Sequence, residues 1–475
     1  MVWHGSTFPF FLLFLLIFPG CVSNHYERIE KFNFAWKIGD FEDAAIQVEE
    51  LASKGPLRDR MLYRLEEGVT KRMKGDIEGS IQAFENADNE YERWFGIHLK
   101  PQTSVSEELI STIGSPEWKP YKSRVYERVM LRIYQALNFF EIGKKKRARA
   151  EIFKIRQALQ DAKEIWKSEL DASREAMRRK SIDLDKGITQ INDVILTHEM
   201  EIIRAQVPSN LPEYMNPAAI YFESLYFLHG ALQRDDFEKA EFSLKQLLSI
   251  YPRNKWIIED YNQAKNRVFT KQPVTYVFLE TGRAPVRREK RYDFPLIFFS
   301  STSRIPYIGL AFPQLVTNDN YLSSLEVQDE NGGMLTSTLP LADFDAIISQ
   351  EFIKDFPIEL AKAISGSLSK GALQYLATKT VREEKDMTRA ATGVAVGSLG
   401  HAFTGADWRS WTTLPKQIQF CKMTTPKSQE LTLRGVNTNL RLKVPLKKAK
   451  TNIVWIRSVS KNTPLRTINV FSLDP

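Results

Sequence analysis

Between Tyr26 and about Arg267, apolar residues recur three and four positions apart, the spacing that gives an α-helix one buried face. After Pro273 the pattern changes. Val274 to Leu279 and Ile305 to Phe312 are short runs rich in β-branched and aromatic residues, bounded by proline or glycine, which predicts strands. Leu325 to Gln328 and Met334 to Leu339 flank Asn331-Gly332-Gly333, whose residues tolerate the positive φ of a hairpin turn. Residues 344–401 return to helical spacing, with breaks near Pro357 and around Lys385. Beyond Pro415, strands are expected over 416–423, 429–434, 439–446, 451–459 and 466–473. The chain therefore reads as multidomain: an all-α array over 21–268, then an α+β domain over 269–475 with an antiparallel sheet. A helical insertion at about 343–405 separates its early and late strands.

The helical half repeats itself. Gly39-Asp40-Phe41-Glu42-Asp43-Ala44, followed by Val48 and Leu51, is matched 36 residues later by Gly75-Asp76-Ile77-Glu78-Gly79-Ser80, followed by Phe84 and Ala87. A small residue five places after the glycine lets two helices approach closely, and the next two positions fill the groove between them. Gly143, Ala148, Ile152 and Ile155 keep the spacing, as do Asp235, Ala240, Leu244 and Leu247, with Pro252 closing the last unit. Gly68 matches the small residue in the first helix of the second unit. The arrangement resembles the tetratricopeptide repeat, whose period is about 34 residues. Residues 96–120, with Pro101, Pro116 and Pro120, predict a loop, and the charge-rich stretch 145–205 predicts two long helices. Lys144-Lys145-Lys146-Arg147 reads as a solvated helix face. Stacked repeats bury their core between neighbours and leave a groove for a peptide or a partner's helix, so binding is the default expectation.

The N-terminus supplies an address. Phe8 to Phe18 is apolar throughout, counting its one proline, and Gly20 precedes Cys21. The run is too short for a membrane-spanning helix, which needs roughly 20 residues, and has the length of a signal-peptide core. A plain signal peptide or a buried N-terminal helix is the alternative reading. The Gly–Cys end resembles the lipobox of bacterial lipoproteins, which implies a signal over 1–20 and acylation of Cys21. Val22, not aspartate, follows that cysteine; in this class that implies the outer membrane, with the body in the periplasm. Cys421 is the other cysteine, so an acylated Cys21 leaves it without an internal partner, and a cysteine-rich metal site is excluded. At 475 residues, 43% of them hydrophobic, the chain has material for more than one core.

Four stretches carry a wider resemblance: Asn216-Pro217-Ala218, Gly282-Arg283-Ala284-Pro285, Ile308 to Pro313, and Ala406-Asp407-Trp408-Arg409-Ser410-Trp411-Thr412-Thr413-Leu414-Pro415. In that order they resemble a family of bacterial outer-membrane lipoproteins with N-terminal tetratricopeptide-like repeats. Trp408 stands where that family usually carries a small polar residue. The resemblance implies architecture and address, and no reaction.

Chemistry is sparse. The six histidines are scattered, none at metal-ligand spacing, and no phosphate-binding loop occurs. Gly393, Gly397, Gly400 and Gly405 read as a packed helix face, with membrane contact as the alternative. Ser367 and Ser369 lack the glycines of a nucleophile elbow, and Cys421 reads as a structural thiol. No cofactor or metal is expected. Asp407, Trp408, Arg409 and Trp411 are the best local cluster. On the structural reading Asp407 pairs with Arg409 or caps a turn while the tryptophans plug the join of helices and sheet; on the functional one they bind a partner. A second candidate is electrostatic. From Leu431 to Pro475 nine basic residues face one acid, Asp474, which accounts for the whole net charge of +8. Lys447, Lys448 and Lys450 gather at one turn, where they either protect a sheet edge or contact an anionic envelope surface. The preferred reading is a non-enzymatic, lipid-anchored scaffold for a periplasmic or outer-membrane protein partner, with no nucleic acid involved. The alternative is a protein that binds or modifies cell-wall glycan through the α+β domain.

Overall fold

The computed structural model describes residues 25–95, 119–179, 183–186, 189, 197–230, 233–268, 272–295, 307–361 and 407–474. The expected signal segment, Cys21, most of the proline-rich loop, Ser367, Ser369 and the Gly393 to Gly405 series lie outside the described residues.

The α-helices whose bounds are described before the first strand are α1 His25–Ile38, α2 Phe41–Lys54, α3 Arg60–Lys74, α4 Ile77–Phe95, α5 Val125–Glu141, α6 Lys145–Arg178, α7 Thr197–Ala205, α8 Pro217–His229, α9 Arg234–Ile250 and α10 Lys255–Asn266. Their ends follow from local chemistry. Asp40 caps α2 by accepting from Asp43 N–H, and Asn216 accepts from Ala218 and Ala219 N–H with Pro217 at the first helical position. Gly75 ends α3 at φ 82°, a left-handed conformation that costs glycine nothing. Successive helices pack as neighbours from α1 to α4, from α5 to α6 and from α8 to α10. Ala44, Ala148 and Ala240 are all fully buried, as the small-residue spacing predicts.

The strands are β1 Val274–Thr281, β2 Val286–Pro295, β3 Tyr307–Val316, β4 Leu325–Gln328, β5 Met334–Ser337, β6 Leu339–Asp343, β7 Gln417–Thr424, β8 Glu430–Gly435, β9 Arg441–Pro445, β10 Thr451–Ser458 and β11 Arg466–Ser472. They form a five-stranded sheet in the order β11-β10-β1-β7-β6, a four-stranded sheet β5-β4-β8-β9 and the pair β2-β3. Helix resumes over 344–361 and runs through Pro357, where a break is expected from the sequence. The antiparallel expectation holds except at the centre, where β1 and β10 run parallel with Glu280 opposite Arg457. Every residue of both strands is buried, because both faces of this pair are covered. β2 has no counterpart in the hydrophobic pattern, since Arg287-Arg288-Glu289-Lys290-Arg291 carries no alternation. The run read as Met334 to Leu339 divides at Thr338 into strands of two different sheets. Thr338 makes the switch by bonding Leu325 through both N–H and hydroxyl while its Oγ1 donates to Gln419 Oε1 at 2.8 Å.

The helices lie directly on the five-stranded sheet. Phe140 of α5 stacks on Phe471 at 4.9 Å between centroids, Tyr221 of α8 meets Phe420 at 4.6 Å, and Phe222 meets Trp455 at 5.9 Å. One hydrophobic core therefore runs from Trp36 to Leu473. The close approach of α3 and α4 gives a test: a Cβ on Gly68 would lie 2.3 Å from the ring of Phe84, itself wedged against Tyr134 and Trp411. Gly68→Ala should lower stability by about 1–3 kcal/mol through overpacking, read as a reduced urea midpoint at unchanged slope.

Candidate functional site at the helix–sheet join

Residues 407–416 leave the undescribed insertion and enter β7, passing between the helices and the five-stranded sheet. Their polar groups meet three carboxylates on the helical side. Arg409, 1% exposed, donates Nη1–H to Asp59 Oδ1 at 2.8 Å, and Nε–H and Nη2–H to the two oxygens of Asp407, each at 2.8 Å. Trp411 N–H donates to Glu127 Oε1 at 3.1 Å, while Tyr121 O–H and Arg124 N–H donate to the same carboxylate. Glu66 receives Thr412 N–H and O–H on Oε1 and Thr413 N–H and O–H on Oε2, at 2.5–3.2 Å. The Trp411 ring is buried in edge contacts with Phe84 and Tyr134.

The arrangement places Asp407, Arg409 and Trp411 together but turns them inward. The structural reading describes them; as surfaces for a partner, buried Arg409 and Trp411 are out of reach. Trp408 is half-buried, edge-on to His25 at 5.8 Å. The inner face of the helical array, expected as an open groove, is covered by the chain's own sheet and by this segment.

Electrostatics follow from burial. Burial would raise the Asp407 carboxyl, but the Arg409 guanidinium outweighs it and holds the pKa below the usual carboxylate range. At Glu66, burial prevails over the Thr413 and Thr412 donors and pushes the pKa up to about 7. His25 beside Asp59 and Tyr63, and His229 beside Tyr276, are both lowered to about 4 by burial. Cys421 is fully buried and its thiol is pushed well up. Two further buried clusters fasten helices to strands. Glu280 accepts from Arg457, Trp455 and Tyr134, and Asp260 accepts from Tyr221, Tyr276 and Lys422.

Sequence reasoning missed Asp59, Glu66, Glu127 and Glu280. For Glu66 and Glu127 a signal existed: each stands on the apolar stripe of its helix, Glu66 between Leu62 and Val69, Glu127 before Met130 and Leu131. The basic excess is also smaller at the surface than the sequence count. Arg457 is buried on Glu280, Arg434 pairs with Glu326 at 3.0 Å and Lys443 with Glu430 at 3.1 Å. Lys447, Lys448 and Lys450 remain exposed, with no ion pair to a described residue.

Among the described residues, no group of histidine, cysteine and acidic side chains is placed to hold a metal, and no helix is long and apolar enough to cross a membrane. No family model, curated protein or solved structure matches the chain.

Two measurements test this join. Arg409→Ala leaves Asp59 and Asp407 facing a buried void, and should cost about 3–5 kcal/mol of unfolding free energy. The second is pH dependence. Glu66 binds its proton more tightly folded than unfolded, so its contribution is fully present below pH 4.5 and is lost as pH rises towards 7, roughly 3 kcal/mol in all. The histidines act oppositely: their contribution is present above pH 6.5 and is lost as pH falls towards 4. Glu66→Gln should therefore tilt the urea midpoint upward with pH between 4.5 and 7, relative to the unmodified chain.

Proposed function

We propose that the chain is a non-enzymatic outer-membrane lipoprotein, held through Cys21, whose periplasmic body is a scaffold or docking module for an envelope protein complex. Its helices are read as degenerate tetratricopeptide-like repeats, in keeping with their packing in successive pairs and the burial of Ala44, Ala148 and Ala240. The observation that carries the reading is the use made of the buried polar groups. Asp59, Glu66 and Glu127 are each engaged by donors from residues 409–413, and this join fixes helices and sheet as one body. What that body offers outward is surface. Tyr26, Phe34 and Ile38 are exposed on α1, where the outer face of a terminal repeat is ordinarily polar. At the start of β10 the lysines of the preceding turn are exposed. Partners are therefore met on outer faces and turns, since the inner face of the array is occupied.

Cys21→Ser should abolish lipid labelling and release the protein from the membrane fraction, because several acyl chains at ~0.8 kcal/mol per buried CH₂ hold far more firmly than surface adsorption. Cross-linking in cells followed by mass spectrometry should recover the same envelope protein repeatedly with the anchored form. A substituted protein that still sediments with outer membranes after a high-salt wash overturns the anchoring.

A further inference from the structure

Two basic runs far apart in sequence meet on the carboxyl-terminal stretch. Lys145 Nζ, at the first residue of α6, donates to Asp474 O at 2.6 Å. In the turn between β9 and β10, Lys450 N–H and Thr451 N–H donate to Asp474 Oδ2 and Oδ1, each at 2.9 Å. Leu446 N–H donates to Gln429 O at 2.8 Å, which sets the turn between β7 and β8, with Lys427, alongside. Lys144 to Lys146, Lys427, Lys447, Lys448 and Lys450 are all exposed, and none forms an ion pair with a described residue.

Helix-end electrostatics do not account for the first of these runs. Lys145, Lys146 and Arg147 occupy the opening turn of α6, where the helix dipole favours acids, and that turn holds none; the N-cap Lys144 makes no side-chain bond. α2 opens on Asp40, Glu42 and Asp43 and α9 on Asp235 and Asp236, whereas α3, α8 and α10, like α6, hold no acid in the first turn. The lysines of α6 stand there against local helix energetics.

The patch has a direction. It lies where β1 and β10 begin, since Val274 N–H donates to Lys450 O at 2.9 Å. The other end of β1, Thr281, pairs with Gln417 directly after the 407–416 segment, and His25 at the start of α1 packs against Trp408. Eight residues of strand, about 26 Å, separate the two ends. The lysines thus face away from the end at which residues 1–24 join the body. The side chains that meet at the patch are lysines, compact point charges without the planar fork that grips one phosphate or carboxylate, which suits an extended acidic face.

We infer that the three turns form one composite lysine surface that docks an acidic protein face on the side away from α1; this rests on the scaffold reading above and names the partner's chemistry. The test uses the full chain in non-ionic detergent, with poly-L-glutamate as the probe and vesicles of phosphatidylcholine and phosphatidylglycerol as the competing surface. The unmodified chain should bind polyglutamate, more weakly as salt rises, because exposed charges are screened beyond roughly 8–10 Å. Triple reversal of Lys144, Lys145 and Lys146 to Glu should weaken binding at least about tenfold, as should triple reversal of Lys447, Lys448 and Lys450. Glutamate at the start of α6 suits the helix, so thermal melting controls for folding, and the milder Lys→Gln triples should weaken binding less than reversal. Unchanged binding by the Lys144–Lys146 reversal overturns the composite surface, and so does binding to vesicles but not to polyglutamate. If both reversed forms cross-link to the same envelope protein as the unmodified chain, the scaffold reading stands and this surface is not its docking site.

Discussion

A charge removed from water must find an opposite charge or a set of hydrogen bonds inside the fold, and much of this structure is arranged around that demand. Arg409 is the central case. Its guanidinium reaches Asp59 at the start of α3, Asp407 in its own segment and the carbonyl of Lys119. Each group alone would be a buried ion at a cost of several kcal/mol; together they specify one position of the 407–416 segment relative to the helices. Glu127 and Glu66 continue the specification residue by residue, through Trp411 and then Thr412 and Thr413. Apolar packing supplies adhesion but tolerates sliding, whereas these bonds do not. The register of the helical half on the sheet is set by them.

This bears on what the helical half can do. Helical hairpins that stack on one another leave a concave side, and an open concave side invites a ligand. Here α5 and α8 turn aromatic rings, Tyr134, Phe140, Tyr221 and Phe222, into β1, β7, β10 and β11. Arg72 of α3 extends the same contact, bonding Tyr134 O and Asn469 of β11 from a fully buried position. The sheet thus plays the part of a permanent ligand. A protein built this way exchanges an adaptable groove for rigidity.

The sequence disclosed local features well and distant ones poorly, for physical reasons. Helix starts were legible at Asp40 and Asn216-Pro217 because capping is a matter of adjacent residues. β1 was legible from its β-branched and aromatic residues and β10 as a strand expected over 451–459, and the turn at Asn331-Gly332-Gly333 from its backbone tolerance; Gly332 takes φ 80° and Asp329 accepts the N–H groups of Asn331 and Gly333. β2 was not, because its charged run carries no periodicity. The parallel pairing of β1 with β10 was not, because no local pattern distinguishes a strand that joins its neighbour in the chain from one that joins a strand 177 positions away. Within the candidate site, the pairing of Asp407 with Arg409 was readable at a spacing of two. The acceptors for Arg409, Trp411 and Thr412 lie hundreds of positions upstream; Glu127 and Glu66 left a trace as acids on an apolar helix stripe, and Asp59 left none.

The division of labour between arginine and lysine shows the same physics acting at the surface. The most deeply buried cations at the join, Arg409 and Arg457, are arginines, whose planar fork can satisfy several acceptors at once and whose charge survives burial; Arg72 and Lys416 are buried beside them. The cations at the end where β10 begins are lysines, exposed and without carboxylate partners among the described residues. A count of basic residues along the late strands merges the two kinds, although Arg457 spends its charge on Glu280 inside the sheet. Sorting them by partner leaves a local field made of lysine side chains on three turns. Asp474 lies among them, but its carboxylate oxygens are occupied by the backbone N–H groups of Lys450 and Thr451. An acid used in that way fixes the turn's backbone, and among the described residues it forms no ion pair with the surrounding lysines.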